Sequence, residues 1–239
     1  MNFKNELEGK KVVVIGGTAG MGLAIAKLAK LNGAQLVVAS RSQAKVDEVS
    51  KQLGAQGLTM DLASENSIMN FFKSIGEFDY LVIPGSQVKI EHVSETSKSD
   101  LEFSLSTKFV GPALCCKYAR IKSGGAITLF SGALSRRPVA GVALLGAING
   151  GVESLTKGLA LELSPVRVNC ISPGLVRDTD AYNDIPVDAR EKMFAEFASS
   201  VPAKRVGQTE DIASATLAIM TNPFVSGAII DVDGGAIIR

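Results

Sequence analysis

Residues 12 to 22 read Val12-Val13-Val14-Ile15-Gly16-Gly17-Thr18-Ala19-Gly20-Met21-Gly22, and no other part of the chain constrains its architecture as much. Four β-branched apolar residues in a row predict a buried strand, and the periodic apolar pattern after Gly20 predicts a helix. The glycines then form a turn between the first strand and the first helix. At such a turn the amides of a helix N-terminus approach a pyrophosphate without Cβ atoms in the way. The candidate phosphate-binding residues are Gly16, Thr18, Gly20, Met21 and Gly22. A plain turn that happens to need glycines is the alternative, and the strand before and helix after argue against it.

Outward from this turn, short apolar runs alternate with longer stretches of helical period, the pattern of βαβ units and a parallel sheet. The expected strands are Lys11–Ile15, Gln35–Ala39, Gly57–Met60, Tyr80–Ile83, Ala126–Phe130, Arg167–Ile171 and Ala228–Val232. Helices are expected over Met21–Asn32, Gln43–Leu53, Glu65–Ile75, Ser99–Arg120, Val142–Leu163, Asp188–Ser199 and Glu210–Met220. The fold class is therefore α/β: one Rossmann-type, doubly wound domain over residues 1–239, with a seven-stranded parallel sheet flanked by helices. Pro173 to Pro186 is the longest irregular piece and follows a strand's carboxyl end, which predicts a substrate lid over about residues 173–200.

The second strand ends Ala39-Ser40-Arg41, where an acid would hold the adenosine ribose hydroxyls of NAD(H). An acid would repel a 2′-phosphate, whereas Arg41 can make charge-assisted bonds to one, so Ser40 and Arg41 favour NADP(H). Arg41 as a solvated helix-start cation is the alternative. Asp61 and Leu62 close the third strand and can hold the adenine edge, although an aspartate there also caps helices.

Composition narrows the partners. The 239 residues are 46% hydrophobic, enough for one substantial core, and 25 basic against 24 acidic residues leave a net charge of +1. That balance carries no footprint for nucleic acid or an anionic membrane, so small molecules and sister subunits are the expected partners. The ten N-terminal residues mix both charges with no apolar run before Val12, which predicts neither signal peptide nor membrane anchor and a cytoplasmic location. Cys115, Cys116 and Cys170 have no metal or disulfide spacing and are read as core or interface thiols.

Together these residues resemble the short-chain dehydrogenase/reductase family along essentially the whole chain. The likeness is carried by Gly16, Gly20 and Gly22; Asp61-Leu62; Ser131; Val152-Glu153-Ser154-Leu155-Thr156 with Ala160-Leu161-Glu162-Leu163; Arg167-Val168-Asn169; Ser172-Pro173-Gly174; Arg205-Val206-Gly207; and Asp231-Val232-Asp233-Gly234-Gly235. The resemblance implies a nicotinamide near Ser131 and Pro173-Gly174. It also implies a homo-oligomer, tetramer or dimer, whose contacts use the two long helices.

The chain also departs from the family pattern. Ile83-Pro84-Gly85-Ser86 stands where Asn-Asn-Ala-Gly is usual; the backbone role of Gly85 can survive. The family's active Tyr aligns with Leu145, its Lys with Asn149 and its helical Asn with Lys108, so only Ser131 of the catalytic set matches. Lys and Asn have thus traded places on two helices. The resulting expectation is that Lys108 supplies the cation and Asn149 holds a ribose hydroxyl or a water; Lys108 on a solvated face is the alternative. Tyr182, in the lid, can close over the nicotinamide as a proton donor or serve as apolar cover. Tyr80 and Tyr118 read as core, His92 as surface. Arg136 and Arg137 suit either an anionic substrate group or subunit salt bridges.

An NADP(H)-dependent oxidoreductase with a non-standard site follows, acting on a C=O or, better, an iminium-like C=N, which needs no acid. Alternatives are a non-redox elimination, isomerisation or cyclisation, and a catalytically silent NADP(H) sensor or scaffold. Pocket specificity is expected from Ser86–Thr96, Gly132–Gly141 and Leu175–Pro186.

Overall fold

Consecutive residues of the first strand, β1 (Lys11–Ile15), belong to two different cores. Val12 and Val14 pack on one side of the sheet, Val13 and Ile15 on the other, because side chains alternate along a strand. The same division runs through β2 (Gln35–Ser40) and β4 (Phe78–Val82), whose near-continuous apolar sequences are buried on both faces. A computed structural model describes residues 6–89 and 91–239. Expectations touching Met1–Asn5 and Ile90 lie outside the described residues.

With β3 (Gln56–Thr59), β5 (Ile121–Phe130), β6 (Arg167–Pro173) and β7 (Ile229–Val232), the sheet has seven parallel strands in the order β3-β2-β1-β4-β5-β6-β7. The order reverses between β1 and β4, and at such a switch point ligands enter beyond the carboxyl ends of the strands. On one face lie α1 (Gly20–Leu31) and α8 (Thr209–Thr221), through Ile25, Ala26, Ala29, Ile212 and Met220. On the other lie α3 (Glu65–Ile75) with Ile68, Phe71 and Phe72, and α6 (Ala143–Glu162) with Val152. α2 (Gln43–Leu53) is capped by Ser42, whose side chain accepts from the Lys45 amide, and ends at left-handed Gly54. Among the described residues no helix is long and apolar enough to cross a membrane.

The helix expected over Ser99–Arg120 departs from the reading in one respect. It runs as α4 (Lys98–Leu105), a π-helical turn (Ser106–Val110) and α5 (Gly111–Tyr118). The cause is Pro112, which lacks an N–H and whose ring collides with the carbonyl four residues back, that of Lys108. The chain widens instead, and the Gly111 amide donates to the Ser106 carbonyl five residues back. Gly111 is also required by its neighbour, since a Cβ there would overlap the Leu62 carbonyl oxygen.

After β6 the chain is irregular as far as a 3-10 turn, Asp180–Tyr182, and then forms α7 (Val187–Ser200).

Candidate active site

The glycine-rich turn is wedged by backbone. Gly16 has φ +80° and donates to the Ala39 carbonyl at 2.7 Å; a Cβ on it would stand 2.5 Å from the Gly85 Cα. Gly85 in turn donates to the Ile15 carbonyl, so the loop after β4 is fixed against the turn. Helix α1 begins at Gly20 with Ala19 as N-cap, without a side-chain cap and without an acid in its first turn. Its first amides are therefore open to an external anion. Thr18 and Met21 are half-buried beside them.

At the far end of β2 the Ser40 hydroxyl is buried with no hydrogen-bond partner, and Arg41 is exposed with no ion pair among the described residues. An orphaned hydroxyl and an unpaired cation fit a phosphate-bearing ribose. Asp61 turns its carboxylate on the Ala63 amide at 3.0 Å, and Ser64 caps α3 by accepting from Ser67. Asp61 and Leu62 thus form the turn entering α3, with Gly111 packed on the Leu62 carbonyl. Pro173 is buried at the end of β6, and Gly174 donates to the Val232 carbonyl at 3.1 Å.

Beyond β5 a polar cluster forms around Ser131, which is 6% exposed and held by its amide on the Ile171 carbonyl. Lys108 reaches it from the π-turn: its Nζ donates to the carbonyls of Phe130 and Ser131 at 3.5 and 3.4 Å. Burial lowers the Lys108 pKa from 10.5 to about 8. Asn149 approaches from α6, its Nδ2 2.9 Å from where a Cβ on Gly132 would lie; its Oδ1 is buried without a partner. Lys108, Ser131 and Asn149 therefore converge, although they come from three distant parts of the chain.

The structure adds groups that the sequence reading did not place here. Ser131 Oγ donates to Glu153 Oε1 at 3.0 Å, and Ser135 Oγ donates to the same oxygen at 2.6 Å. Burial pushes the Cys170 thiol's pKa up, opposed by hydrogen bonding with Ser131. Arg136 pairs with Asp231 through both terminal nitrogens and donates to Ser172 Oγ at 2.8 Å. Arg137 donates to the Ala236 and Arg239 carbonyls. Both arginines are thus engaged within the chain, where the sequence suggested a substrate anion or another subunit. Their hydrogen-bond partners lie 36 to 102 residues away, a pairing that local pattern does not reveal.

Tyr182 is not part of this cluster. Its ring packs edge-on against Phe194 of α7 at 5.6 Å, and burial raises its pKa, opposed by the Val176 backbone. Arg177 lies over the same Phe194 ring and pairs with Glu191 through two bonds. The segment after β6 thus has its own small core with α7. Its leading edge lies over the glycine turn: the Thr179 Cα stands 3.5 Å from where a Cβ on Gly20 would be, and Asp180 pairs with Lys45 at 3.7 Å. His92 is exposed and hydrogen-bonded to Ser94, and Tyr80 is buried in β4, as read from the sequence. Tyr118 is half-buried against the core of the α3 face, and its hydroxyl donates to Glu65 at 2.6 Å.

Residues 16–236 match the family model described as enoyl-(acyl carrier protein) reductase. The short-chain dehydrogenase/reductase ucsE of an Acremonium species is 33% identical, over 98% of this chain and 97% of its own. A small-chain dehydrogenase crystallised in complex with NADPH superposes with a TM-score of 0.83 at 37% identity, covering 96% of this chain and 99% of its own. The MalC Reductase/Diels-Alderase of Malbranchea aurantiaca superposes with a TM-score of 0.90 at 28% identity, covering 98% and 99%. By fold, by its glycine turn and by these likenesses, the chain belongs to the short-chain dehydrogenase/reductase family.

Proposed function

We propose that the protein is an NADP(H)-dependent oxidoreductase with a non-standard active centre, reducing a small-molecule C=N or C=O acceptor at Ser131. The observation that carries this reading is the meeting of Lys108, Ser131 and the unpartnered Asn149 Oδ1 at the carboxyl end of β5, beside an open glycine cradle. The NADPH complex of a relative 37% identical supports the choice of cofactor.

When bound, the dinucleotide supplies the hydride. The first amides of α1 and the turn Gly16–Gly22 hold the pyrophosphate, with Gly85 closing the turn from behind. Ser40 and Arg41 take the 2′-phosphate, and Asp61 with Leu62 the adenine edge. Pro173 and Gly174 would lie beside the nicotinamide, and the unpartnered Asn149 Oδ1 would accept from a ribose hydroxyl. Lys108 is the cation beside Ser131, and with a pKa of about 8 it holds its proton only partly at slightly alkaline pH. Leu145, one turn before Asn149 on α6, offers no proton. A ketone would leave an alkoxide that must be protonated, a requirement worth about 10²–10⁴-fold in rate. Reduction of an iminium gives a neutral amine and has no such requirement, so the C=N acceptor suits these residues better. Tyr182 serves in this reading as apolar cover against Phe194. Assembly as a tetramer or dimer belongs to the same proposal, supported by the exposed apolar side chains of Leu161, Phe224 and Ile238. So does a cytoplasmic location, supported by three free, buried cysteines.

The deciding experiment is transfer of deuterium from labelled NADPH to product, over a panel pairing each ketone with its cyclic iminium. Stereospecific transfer, faster to the iminium, is the expected result. Turnover with no change in nicotinamide absorbance would move the assignment to a non-redox reaction such as a cyclisation, a reading that the Reductase/Diels-Alderase neighbour favours. Tight NADPH binding with no turnover across the panel would favour a sensor or scaffold. A second test concerns the cofactor alone. Arg41→Ala is expected to lower NADPH affinity by about tenfold or more, the worth of a charge-assisted hydrogen bond. NADH affinity should stay as it is, and titration by cofactor fluorescence reads both. Equal losses for the two cofactors would take Arg41 out of the site.

A further inference from the structure

Glu153 stands one turn beyond Asn149 on α6, so both present themselves to the end of β5. Its side chain is 13% exposed, and its Oε1 gathers the hydroxyls of Ser131 at 3.0 Å and Ser135 at 2.6 Å. A carboxylate only accepts hydrogen bonds, so Ser131 spends its single hydrogen on it, while Ser135 also has the Gly132 carbonyl within reach at 3.0 Å. Ser131 is left with lone pairs to offer, and a neutral carbonyl or a nascent alkoxide finds no donor there. Arg136 lies 3.6 Å from Glu153 but is committed to Asp231, so one guanidinium offsets two carboxylates. Lys108 lies on the main-chain side of Ser131, its ammonium turned to the Phe130 and Ser131 carbonyls.

We infer that Glu153 sets the polarity of the pocket: by taking the Ser131 hydrogen it makes Ser131 an acceptor backed by a carboxylate, and the site selects an organic cation over its neutral counterpart. Glu153 is a positioning residue that acts through Ser131. The inference deepens the hydride-transfer proposal by fixing the substrate's charge, and it rests on that proposal for Ser131's place at the reacting centre. It gives the iminium preference a cause independent of what stands at position 145.

The test is equilibrium binding of matched five-membered rings, pyrrolidinium and cyclopentanone, to the NADP⁺-saturated protein, followed by NMR line broadening. Wild type is expected to prefer the cation. Glu153→Gln should reduce that preference by about tenfold or more, since a charged acceptor has been replaced by a neutral one, while NADP⁺ affinity stays the same. Glu153→Asp, which keeps the charge, should recover part of it; a merely structural role would not sort the variants by charge. Preference for cyclopentanone in the wild type, or an undiminished preference for pyrrolidinium in folded Glu153→Gln, would overturn the inference. Should Glu153→Gln not fold, Ser131→Ala reads the same contact from the other side: cation preference must fall there too, and its survival overturns the inference equally. A cation preference that depends on Glu153, with no NADPH consumed on 1-pyrroline, would instead remove the hydride-transfer reading and leave the role of Glu153 standing.

Discussion

Gly22→Ala loses tight NADPH binding, by about a hundredfold or more, and melts earlier than the wild type. A Cβ at residue 22 would overlap the Gly16 carbonyl oxygen and stand 2.8 Å from its carbon, both backbone atoms that no rotamer change can clear. Gly16 cannot retreat, because it is held on the Ala39 carbonyl on one side and on Gly85 on the other. The turn must therefore open, and the amides of α1 leave the positions from which they meet a pyrophosphate. Misplacement by about an ångström commonly costs on the order of a hundredfold. Overpacking costs about 1–3 kcal/mol of stability, offset only in part by the roughly 1 kcal/mol that alanine gains over glycine in a helix. Gly158→Ala in α6 is the control: nothing lies within 4 Å of its Cβ, so stability should rise by up to about 1 kcal/mol with binding unchanged. Calorimetric titration and thermal melting of the two variants read both effects. Gly22→Ala binding NADPH like the wild type would dissociate the turn from the pyrophosphate.

Lys108→Met gives the opposite signature, a more stable protein that turns over poorly. Keeping an ammonium in this apolar setting lowers its pKa from 10.5 to about 8, a fall worth on the order of 3 kcal/mol of lost stability at neutral pH. Because the folded pKa is the lower one, the unfolded chain holds more protons between about pH 8 and 10.5. Stability of the wild type therefore rises with pH across that window, while below it the full cost persists. Methionine fills a similar volume without the charge, and what it gives up is two hydrogen bonds already long at 3.4 and 3.5 Å. At pH 7 the melting temperature should rise by several degrees, since about 2–4 °C accompany each kcal/mol in a chain of this size. The gap between variant and wild type should close by about pH 10.5. Iminium reduction should fall by about a hundredfold if Lys108 holds Ser131 and the nicotinamide ribose in register, since misplacement by about an ångström commonly costs that much. A variant as active as the wild type would return Lys108 to a packing role.

How much of this was legible in the residues depends on the range of the interaction. The seven strands were legible because Val12 to Ile15 and most of their counterparts are short, near-continuous apolar runs bounded by polar or glycine positions, and boundaries moved mainly where polar residues extend a strand, as at the start of β5. The glycine cradle was legible because it is contiguous. The Lys108, Ser131 and Asn149 meeting was anticipated only through the family resemblance, since the three come together by sheet order. Glu153 carries a weaker signal: it is the first acid of α6 and lies one turn past Asn149, on the same face. Pro112 is a plain signal for the π-turn, masked by the apolar pattern that continues on either side of it. The closeness of Thr179 to Gly20 has no local signature, being a loop's approach to a turn far away in sequence.

The π-turn also settles a matter of phase. The buried positions of this helix are Ser104, Thr107, Lys108, Gly111, Pro112, Cys115 and Cys116, a stripe that repeats every fourth residue. On an unbroken α-helix such a stripe slides about 40° per repeat, or about 120° between Ser104 and Cys116, enough to turn one end toward water. The wide turn absorbs the surplus residue, so a single rod keeps two fixed bearings. At one end Ser104 and Thr107 grip the loop after β4 at Lys89 and Gln87; at the other Cys115 and Cys116 stay in the core with α3. Lys108 sits at the correction itself, and its inward aim is therefore a product of winding number as much as of side-chain chemistry.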